Sequence, residues 1–460
     1  MSRTDKLTRK VSQRARDLVD RGLDRHIRLA VTGLSGAGKT ALLTGMLEQL
    51  LYANDNPTLP YLNVHSQQRL HGVRLVPSPN WSVARFDYEA AINALTSEPS
   101  NWPQSTRDVA EIRVEINYKP SRGLASKLSD SRRLTLDLVD YPGEWLLDLP
   151  MLDQDYYDWS QQQSRLARQP LRSDIFADWH QRVENSIRNN DDIDKTLRRL
   201  ANDYQQQLQR CKNEFGLYFL QPGRHLLPGE LAGAPALDFF PWPSHLTMPE
   251  SWRPVLESKY RYYQDKVIKP FYKEYFQNYN RQVVLVDVLS ALQAGENALA
   301  ELKLALNELM KSFDYGHNSL LKRLVAPQID KVALVAAKAD HVAPPQHANM
   351  RQLLAQLMQQ SSQQLSFERI QYQLFATAGV AVSQSGERPD GTLVLDGYDD
   401  TGERVRIRAP HVPATWPNSQ QWQHGFAYPR LYPHFSSGQS PLPHIRLDQL
   451  LEFLLGDKLR

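Results

Sequence analysis

The chain has 460 residues, of which 41% are hydrophobic and 23% charged, and its formal net charge is +3. This length allows about two or three domains with a sizeable buried core, and the composition excludes an intrinsically disordered chain. The near balance of charge gives no support to a nucleic-acid-binding function.

Cysteine content and hydropathy indicate the compartment. The single cysteine, Cys211, cannot form an internal disulfide, which favours a reducing compartment. The sequence contains no apolar run of about 18 residues that would predict a transmembrane helix, and its N-terminus lacks the apolar core of a secretory signal. We therefore expect a cytoplasmic protein.

Residues 1–25 mix basic residues with a partial apolar stripe, which predicts a basic amphipathic helix. One hypothesis is peripheral attachment of this helix to an anionic membrane surface. The alternative is that its apolar stripe packs against the domain that follows. We favour packing, because several aspartates dilute the positive charge and the segment has no aromatic anchor.

Residues 31–40, Val-Thr-Gly-Leu-Ser-Gly-Ala-Gly-Lys-Thr, match the phosphate-binding P-loop pattern G-x-x-x-x-G-K-[ST]. Small residues let the backbone curl so that its N–H groups point at phosphate oxygens. Those predicted to do so are Ser35, Gly36, Ala37 and Gly38. Lys39 is predicted to bind the β- and γ-phosphates and to stabilise the charge that builds on them, and the Thr40 hydroxyl to bind Mg²⁺.

The flanking sequence supports this interpretation. Residues 27–32 are typical of a buried strand, and residues 41–51 of a helix whose N-terminus, at Ala41, faces the anion. The alternative is a glycine-rich turn that matches the pattern by chance, and the complete pattern between a strand and a helix disfavours it.

The long segment 52–108 is rich in Pro, Asn and Ser, with a helix predicted over residues 86–95. Because a structureless loop of this length is uncommon in a compact domain, we expect it to be partly ordered and functional. It leads into a strand predicted over residues 109–118. Thr106 is our candidate to close over Mg²⁺ and the γ-phosphate, with Ser105 as the substitute; alternatively, both are ordinary turn residues.

A mostly apolar strand over residues 133–140 ends in Asp140, followed by Tyr-Pro-Gly-Glu. The end of a parallel strand is where an α/β sheet binds its ligand. We therefore predict that Asp140 holds Mg²⁺ and that the Gly143 N–H binds the γ-phosphate. A water held near Gly143 and Glu144 would then attack. The alternative is an aspartate in a tight Pro-Gly turn.

Two more buried strands are predicted, over residues 282–289 and 331–337. The second leads into Lys338-Ala-Asp340, the K-x-D pattern that reads guanine, since an aspartate can accept hydrogen bonds from the N1–H and 2-amino group of that base. The lysine stem would lie along base and ribose. A strand over residues 372–375 leads to Ala-Thr377-Ala378-Gly, a small-residue loop whose N–H groups could reach the base oxygen.

Taken in order, these motifs resemble the Ras-like P-loop GTPases over about half of the chain. More closely, Gly33-Leu-Ser-Gly-Ala-Gly-Lys-Thr40, Val139-Asp-Tyr-Pro-Gly-Glu-Trp145 and Lys338-Ala-Asp-His341-Val342 resemble the bacterial YcjX-like family. The resemblance implies a stress-associated GTP-binding protein in which His341 joins the nucleotide site. Two departures from the Ras pattern stand out. Ala337 replaces the usual Asn or Thr, which implies the loss of a side-chain contact between the base-binding loop and the P-loop. Glu144 replaces the water-orienting Gln, and we therefore expect slow hydrolysis.

The remaining segments lie outside the motifs. Residues 159–210 are Gln-rich with helical spacing and predict amphipathic helices, whereas the prolines of residues 221–254 predict irregular structure. An aromatic-rich helix is predicted over residues 256–279, with its aromatic rings in the core. Residues 391–408 predict a hairpin, and residues 445–455 an amphipathic helix.

We therefore predict an α/β fold of the Ras-like P-loop NTPase class. Its mostly parallel sheet is flanked by helices and carries a mainly helical insertion and a small C-terminal β addition. The predicted segments are a basic helix (1–25), the first part of the GTPase domain (26–150, with an extended switch region 52–108), the insertion (151–280), the second part of the GTPase domain (281–385), a β-hairpin with an irregular wrap (386–443) and a final helix (444–460).

The predicted function is that of a switch that binds GTP or GDP with Mg²⁺, hydrolyses GTP slowly to GDP and phosphate, and contacts an unknown protein through the insertion or the switch loops. Two alternatives remain open. One is an ATP- or GTP-dependent phosphotransferase, and the other is a nucleotide-binding scaffold with negligible turnover.

Overall fold

A computed structural model describes residues 26–34, 36–104, 108–121, 131–188, 192–311, 329–359, 370–436 and 438–460. The strands of its main sheet are β1 His26–Gly33, β2 Leu70–Val76, β3 Ala84–Arg85, β4 Ala110–Tyr118, β5 Arg132–Asp140, β6 Arg281–Val286, β7 Lys331–Ala336 and β8 Gln371–Ala376. A second sheet contains β9 Gln384–Glu387, β10 Leu393–Tyr398 and β11 Arg404–Arg408.

The main sheet has the order β2-β4-β5-β1-β6-β7-β8, with β3 beside β4. Strands β5, β1, β6, β7 and β8 are parallel to one another, whereas β4 is antiparallel to β5, and β2 to β4. The parallel strands therefore share one carboxyl edge, where an α/β sheet binds its ligand.

Helices flank this sheet and fill the connections between its strands. They are α1 Lys39–Leu51, α2 Asn63–Ser66, α3 Tyr88–Thr96, α4 Tyr156–Ala167, α5 Pro170–Arg188, α6 Ile193–Asn213, α7 Gly223–Leu226, α8 Arg253–Tyr263, α9 Lys269–Glu274, α10 Val288–Ala294, α11 Glu296–Lys311, α12 Gln346–Leu357, α13 Ser419–His424 and α14 Leu447–Leu455. The predicted α/β class with a mostly parallel, helix-flanked sheet is confirmed, and it is consistent with a Ras-like P-loop fold.

The two faces of the sheet bury different sets of helices. Along β6, Val283 and Leu285 belong to a core cluster with residues of α1 and α14. Val284 and Val286, which point to the opposite face, belong to a cluster with residues of the segment between β5 and β6. That segment therefore shares its core with the sheet.

Two predicted elements have different bounds in the structure. The strand predicted over residues 282–289 ends at Val286 because Asp287 accepts a hydrogen bond from the Ser290 backbone N–H and begins α10. The helix predicted over residues 256–279 is divided into α8, a π-helical turn over Gln264–Ile268, and α9. Pro270 stands at the start of α9, where its missing N–H is tolerated.

The aromatic rings of residues 256–279 are mostly buried, as predicted. Tyr260, Tyr263 and Tyr279 are at most 1% exposed, whereas Tyr262 is 53% exposed, so the prediction is wrong for that residue. The segment 52–104 contains α2, β2, β3 and α3. The N-terminal helix predicted over residues 1–25 lies outside the described residues, and the division of the chain into domains stays a prediction.

Candidate nucleotide site at the carboxyl edge of the sheet

The P-loop segment connects β1 to α1 through glycines in left-handed conformations. Gly36 has φ of 85° and Gly38 of 84°, a region that side chains with a Cβ rarely adopt. The Ala37 N–H donates to the Leu34 carbonyl over 3.1 Å, which closes the turn. Ser35 lies outside the described residues.

Lys39 and Thr40 begin α1, at the helix end that favours anions. The Lys39 Nζ donates to the Gly33 carbonyl over 2.9 Å, so its ammonium folds back across the loop. The Thr40 Oγ1 donates to the Gln104 carbonyl over 3.3 Å. The end of the segment 52–104 therefore touches the helix start, just before the predicted Thr106. Thr106 and Ser105 both lie outside the described residues.

The turn after β5 lies directly against the start of the P-loop. Asp140 ends β5 opposite Val31 of β1 and is 1% exposed. A Cβ on Gly143 would lie 2.6 Å from the Gly33 carbonyl oxygen, so a glycine is required for this close approach. The structure thus brings Asp140 and Gly143 to the same sheet edge as the P-loop.

The donor set at this edge fits Mg²⁺. The ion is commonly held by one or two carboxylates together with substrate phosphates, and it keeps several waters. Asp140 would supply a carboxylate oxygen and Thr40 a hydroxyl. The described residues hold no group of three or more His, Cys, Asp and Glu side chains that could bind a metal on their own, so the fit depends on phosphate oxygens.

Glu144, predicted to hold the attacking water, is buried and ion-paired. Its carboxylate is 3% exposed, and its Oε1 lies 2.9 Å from the Nζ of Lys212, in the last turn of α6. Burial alone would raise the pKa of Glu144, but the positive charges of Lys212 and Lys39 lower it below its ordinary value. Glu144 is therefore held as a carboxylate.

The K-x-D segment follows β7, as predicted. Lys338 adopts a left-handed conformation with φ of 60°, and its Nζ lies 2.5 Å from Oδ2 of Asp287. The Asp340 carboxylate is 3% exposed and accepts a hydrogen bond over 3.0 Å from the Val382 backbone N–H. Packing and this hydrogen bond thus fix the orientation of the Asp340 side chain, which is predicted to bind guanine.

The small-residue loop packs against the P-loop helix, backbone to backbone. A Cβ on Gly45 would lie 2.0 Å from the Gly379 carbonyl oxygen, and one on Gly379 would lie 2.5 Å from the Leu42 Cα. The loop is also held by the Thr377 N–H, which donates to the Ala336 carbonyl over 3.0 Å. This close packing holds the small-residue loop against α1, the helix that follows the P-loop.

A cavity of about 770 Å³ opens between these segments, within the range of small-molecule sites. The predicted residues that line it are Gly36, Ala37, Gly38, Lys39, Thr40, Ala41, Lys338, Asp340, His341, Thr377 and Ala378. Asp140, Gly143 and Glu144 are not among its lining residues. They lie beside the P-loop, so Mg²⁺ binding by Asp140, the γ-phosphate contact of Gly143 and the placement of water by Glu144 stay predictions.

Several lining residues were missed by sequence reasoning. Ser290 and Gln293 come from α10, Trp102 from the segment before β4, and Tyr428–Tyr432 from the proline-rich C-terminal stretch. The Trp102 indole N–H donates to the Leu431 carbonyl over 3.2 Å, which connects two of these walls. Of these segments, only α10 could have been found from the sequence, because the polar start of this helix directly follows a buried strand.

The segment after Gly143 is bonded to the insertion. It forms a 3-10 helix over Gly143–Asp153 that is almost entirely buried. The Trp145 indole N–H donates to the Leu227 carbonyl over 2.9 Å. Asp148 accepts hydrogen bonds from the Gly223 N–H at 2.7 Å and the Tyr263 hydroxyl at 2.6 Å. Burial outweighs these bonds and raises the pKa of Asp148 to about 6.

The length and hydropathy of the helices indicate whether any of them could span a membrane. Within the described ranges, no helix combines the length and apolar character needed to cross a bilayer.

Comparison with known proteins agrees with the motifs. A family model, the YcjX-like family, DUF463, matches residues 27–459. A protein from Escherichia coli (strain K12) named Ras-like GTPase YcjX is 42% identical, over 96% of this chain and 98% of its own length. A protein of the same name from Shewanella oneidensis is 40% identical, over 100% of both chains. With the P-loop, the D-x-P-G turn and the K-x-D segment at one sheet edge, the chain belongs to the YcjX-like family.

Proposed function

We propose that the protein binds GTP with Mg²⁺ and hydrolyses it slowly to GDP and phosphate. The observation that carries this proposal is that the P-loop and the K-x-D segment, about 300 residues apart in the chain, line a single cavity. The names of the two relatives, both Ras-like GTPases, support it.

Guanine selection is assigned to Asp340. Asp340 is one of the residues that line the cavity, and its carboxylate accepts a hydrogen bond from the Val382 N–H. A carboxylate accepts hydrogen bonds from the N1–H and 2-amino group of guanine, whereas adenine lacks that pattern. The Lys338 stem would lie along the base and ribose, with its ammonium on Asp287.

The phosphates are assigned to the P-loop N–H groups and Lys39. In the structure the Lys39 ammonium contacts the Gly33 carbonyl, and it would turn to the β- and γ-phosphates of a bound nucleotide. Thr40, Thr106 and Asp140 would hold Mg²⁺, which neutralises phosphate charge when bound. The Gly143 N–H would donate to the γ-phosphate.

The environment of Glu144 supports slow hydrolysis. The attacking water would be held beside Gly143 and Glu144, and a water-orienting group must be free to turn toward that water. Glu144 is instead ion-paired with Lys212. The same ion pair supports a second candidate function, a nucleotide-binding scaffold with negligible turnover.

Phosphate release from GTP separates these possibilities. The protein is incubated with Mg²⁺ and either GTP or ATP, without a phosphate acceptor, and K39A serves as the control. We expect phosphate from GTP, little from ATP, and none with K39A. Bound GTP that persists for hours would indicate the scaffold. Turnover of GTP or ATP that requires an added acceptor would indicate a phosphotransferase.

We further propose that the protein acts as a cytoplasmic switch in a stress-related process and reaches a protein partner through the insertion or the switch loops. The bonds between Gly143–Asp153 and the insertion support this coupling, because a shift of the turn would move the helices behind it. Hydrogen exchange with a GTP analogue and with GDP tests it. Equal protection of residues 150–210 in both states would contradict it.

A further inference from the structure

Lys212 brings a positive charge from the insertion to the turn after β5, beside the P-loop. Its Nζ lies 2.9 Å from Glu144 Oε1, and the two side chains are 24% and 3% exposed. Removing one partner of a buried ion pair leaves an uncompensated charge, so the pair is strongly coupled. Lys212 is therefore one member of a coupled ion pair and not an isolated surface charge.

The position of Lys212 is fixed by packing. It follows Cys211, which is fully buried, and Leu208 lies one helical turn earlier. Both residues belong to the same core cluster as Trp145, which follows Glu144 in the sequence. The Gly216 N–H donates to the Lys212 carbonyl over 3.1 Å, which extends the end of α6. The ammonium thus approaches Glu144 from a rigid element.

Glu144 lies close to the charges that would bind the γ-phosphate. It directly follows Gly143, whose Cβ position is 2.6 Å from the Gly33 carbonyl oxygen. The Lys39 Nζ is 2.9 Å from that same oxygen, and the Lys39 charge acts on the Glu144 carboxylate. Without the Lys212 charge, the Glu144 carboxylate would repel a triphosphate more than a diphosphate.

We propose that Lys212 is a positioning residue of the nucleotide site, whose ammonium neutralises and orients Glu144 so that the site accepts the γ-phosphate. This inference rests on the proposed GTP-binding function. Lys212 acts through Glu144 and not on the base or the α- and β-phosphates. Its loss therefore changes triphosphate binding and turnover while diphosphate binding is retained.

Equilibrium binding tests this selectively. The full chain and its variants K212M, K212R, E144Q and K212M/E144Q are titrated with Mg²⁺ and either GDP or a non-hydrolysable GTP analogue. We expect K212M to weaken analogue affinity on the order of ten-fold while GDP affinity stays within about two-fold. K212R keeps the charge and should retain analogue binding. K212M/E144Q removes both charges and should recover most of it.

The matched control is K195M, which removes an exposed lysine from the first turn of the same helix and should bind both nucleotides normally. Single-turnover hydrolysis at GTP concentrations below saturation gives a second readout, in which the weaker GTP binding of K212M lowers the observed cleavage and K212R restores it. Equal loss of GDP and analogue binding by K212M, or no loss of either, would overturn the inference. So would a double variant as defective as K212M. Absence of any guanine nucleotide binding by the unaltered chain would overturn the proposed function, and this inference with it.

Discussion

Gly143→Ala tests the placement of the turn after β5 against the P-loop. The added Cβ would lie 2.6 Å from the Gly33 carbonyl oxygen and 2.8 Å from its carbon, whereas ordinary contacts begin at 3.4 Å. Both atoms belong to the backbone of β1, so a side-chain rotation cannot relieve the clash. The turn must therefore move by about 0.8 Å, and overpacking of this kind costs about 1–3 kcal/mol of stability.

The consequence for function is selective. A displacement near 1 Å costs on the order of 100-fold in rate when it separates a catalytic group from the reacting centre. The guanine-binding residues lie away from the clash, and we expect the turn to move while the backbone of β1 and the P-loop stays in place, so GDP affinity should change less than about two-fold. Single-turnover GTP cleavage measures the rate, and titration with GDP measures binding.

Gly72→Ala is the matched control, because the nearest atom to its Cβ would be the Asn54 side-chain nitrogen at 3.7 Å. This variant should hydrolyse GTP and bind GDP normally. Unchanged cleavage in Gly143→Ala would refute the placement of the turn, as would GDP binding lost in proportion to cleavage.

Three further predictions concern stability and nucleotide release. Asp137 is 1% exposed and accepts hydrogen bonds from an arginine and a histidine. D137N should therefore lower the free energy of unfolding, measured in urea, by about 3–5 kcal/mol. A loss below about 1 kcal/mol would contradict this prediction. Burial raises the pKa of Asp148 from 3.8 to about 6, so the folded state disfavours its ionised form. The stability of the unaltered protein relative to D148N should therefore fall by about 2 kcal/mol as the pH rises from about 4 to about 6, whereas a rise would show the opposite sign of the shift. W102F removes the indole N–H that donates to the Leu431 carbonyl and should speed the release of fluorescent GDP about five-fold. The control W81F, at a side chain that is 85% exposed, should leave the release rate unchanged. Equal release rates in the two variants would contradict the role of the Trp102 hydrogen bond.

Local signals predicted the parts of the site that lie on single strands. Runs of buried β-branched and leucine residues predicted β1, β5 and β7, and the P-loop and K-x-D motifs follow directly from two of those strands. Parallel strands bring their ends to one edge, so the meeting of the motifs followed from the order of the elements.

Contacts between distant segments left no local signal. The Lys212–Glu144 pair joins residues 68 positions apart, and the lysine alone reads as one of many charges on a polar helix. Gly45 meets Gly379 only because α1 crosses the small-residue loop. The wall formed by Tyr428–Tyr432 comes from a proline-rich stretch without periodicity, so its place depends on tertiary packing.

In the proposed site, one cavity holds guanosine triphosphate through the P-loop and Asp340. Calorimetric titration of the unaltered chain and D340N with GTP, ATP and XTP in Mg²⁺ tests it most directly. The unaltered chain should bind GTP more tightly than ATP or XTP by at least about ten-fold, since each hydrogen-bonded base contact contributes about 1–3 kcal/mol of discrimination. D340N should favour XTP, whose 2-oxygen accepts from the new amide. Equal affinity of the unaltered chain for ATP and GTP, or no binding of either, would contradict the claim.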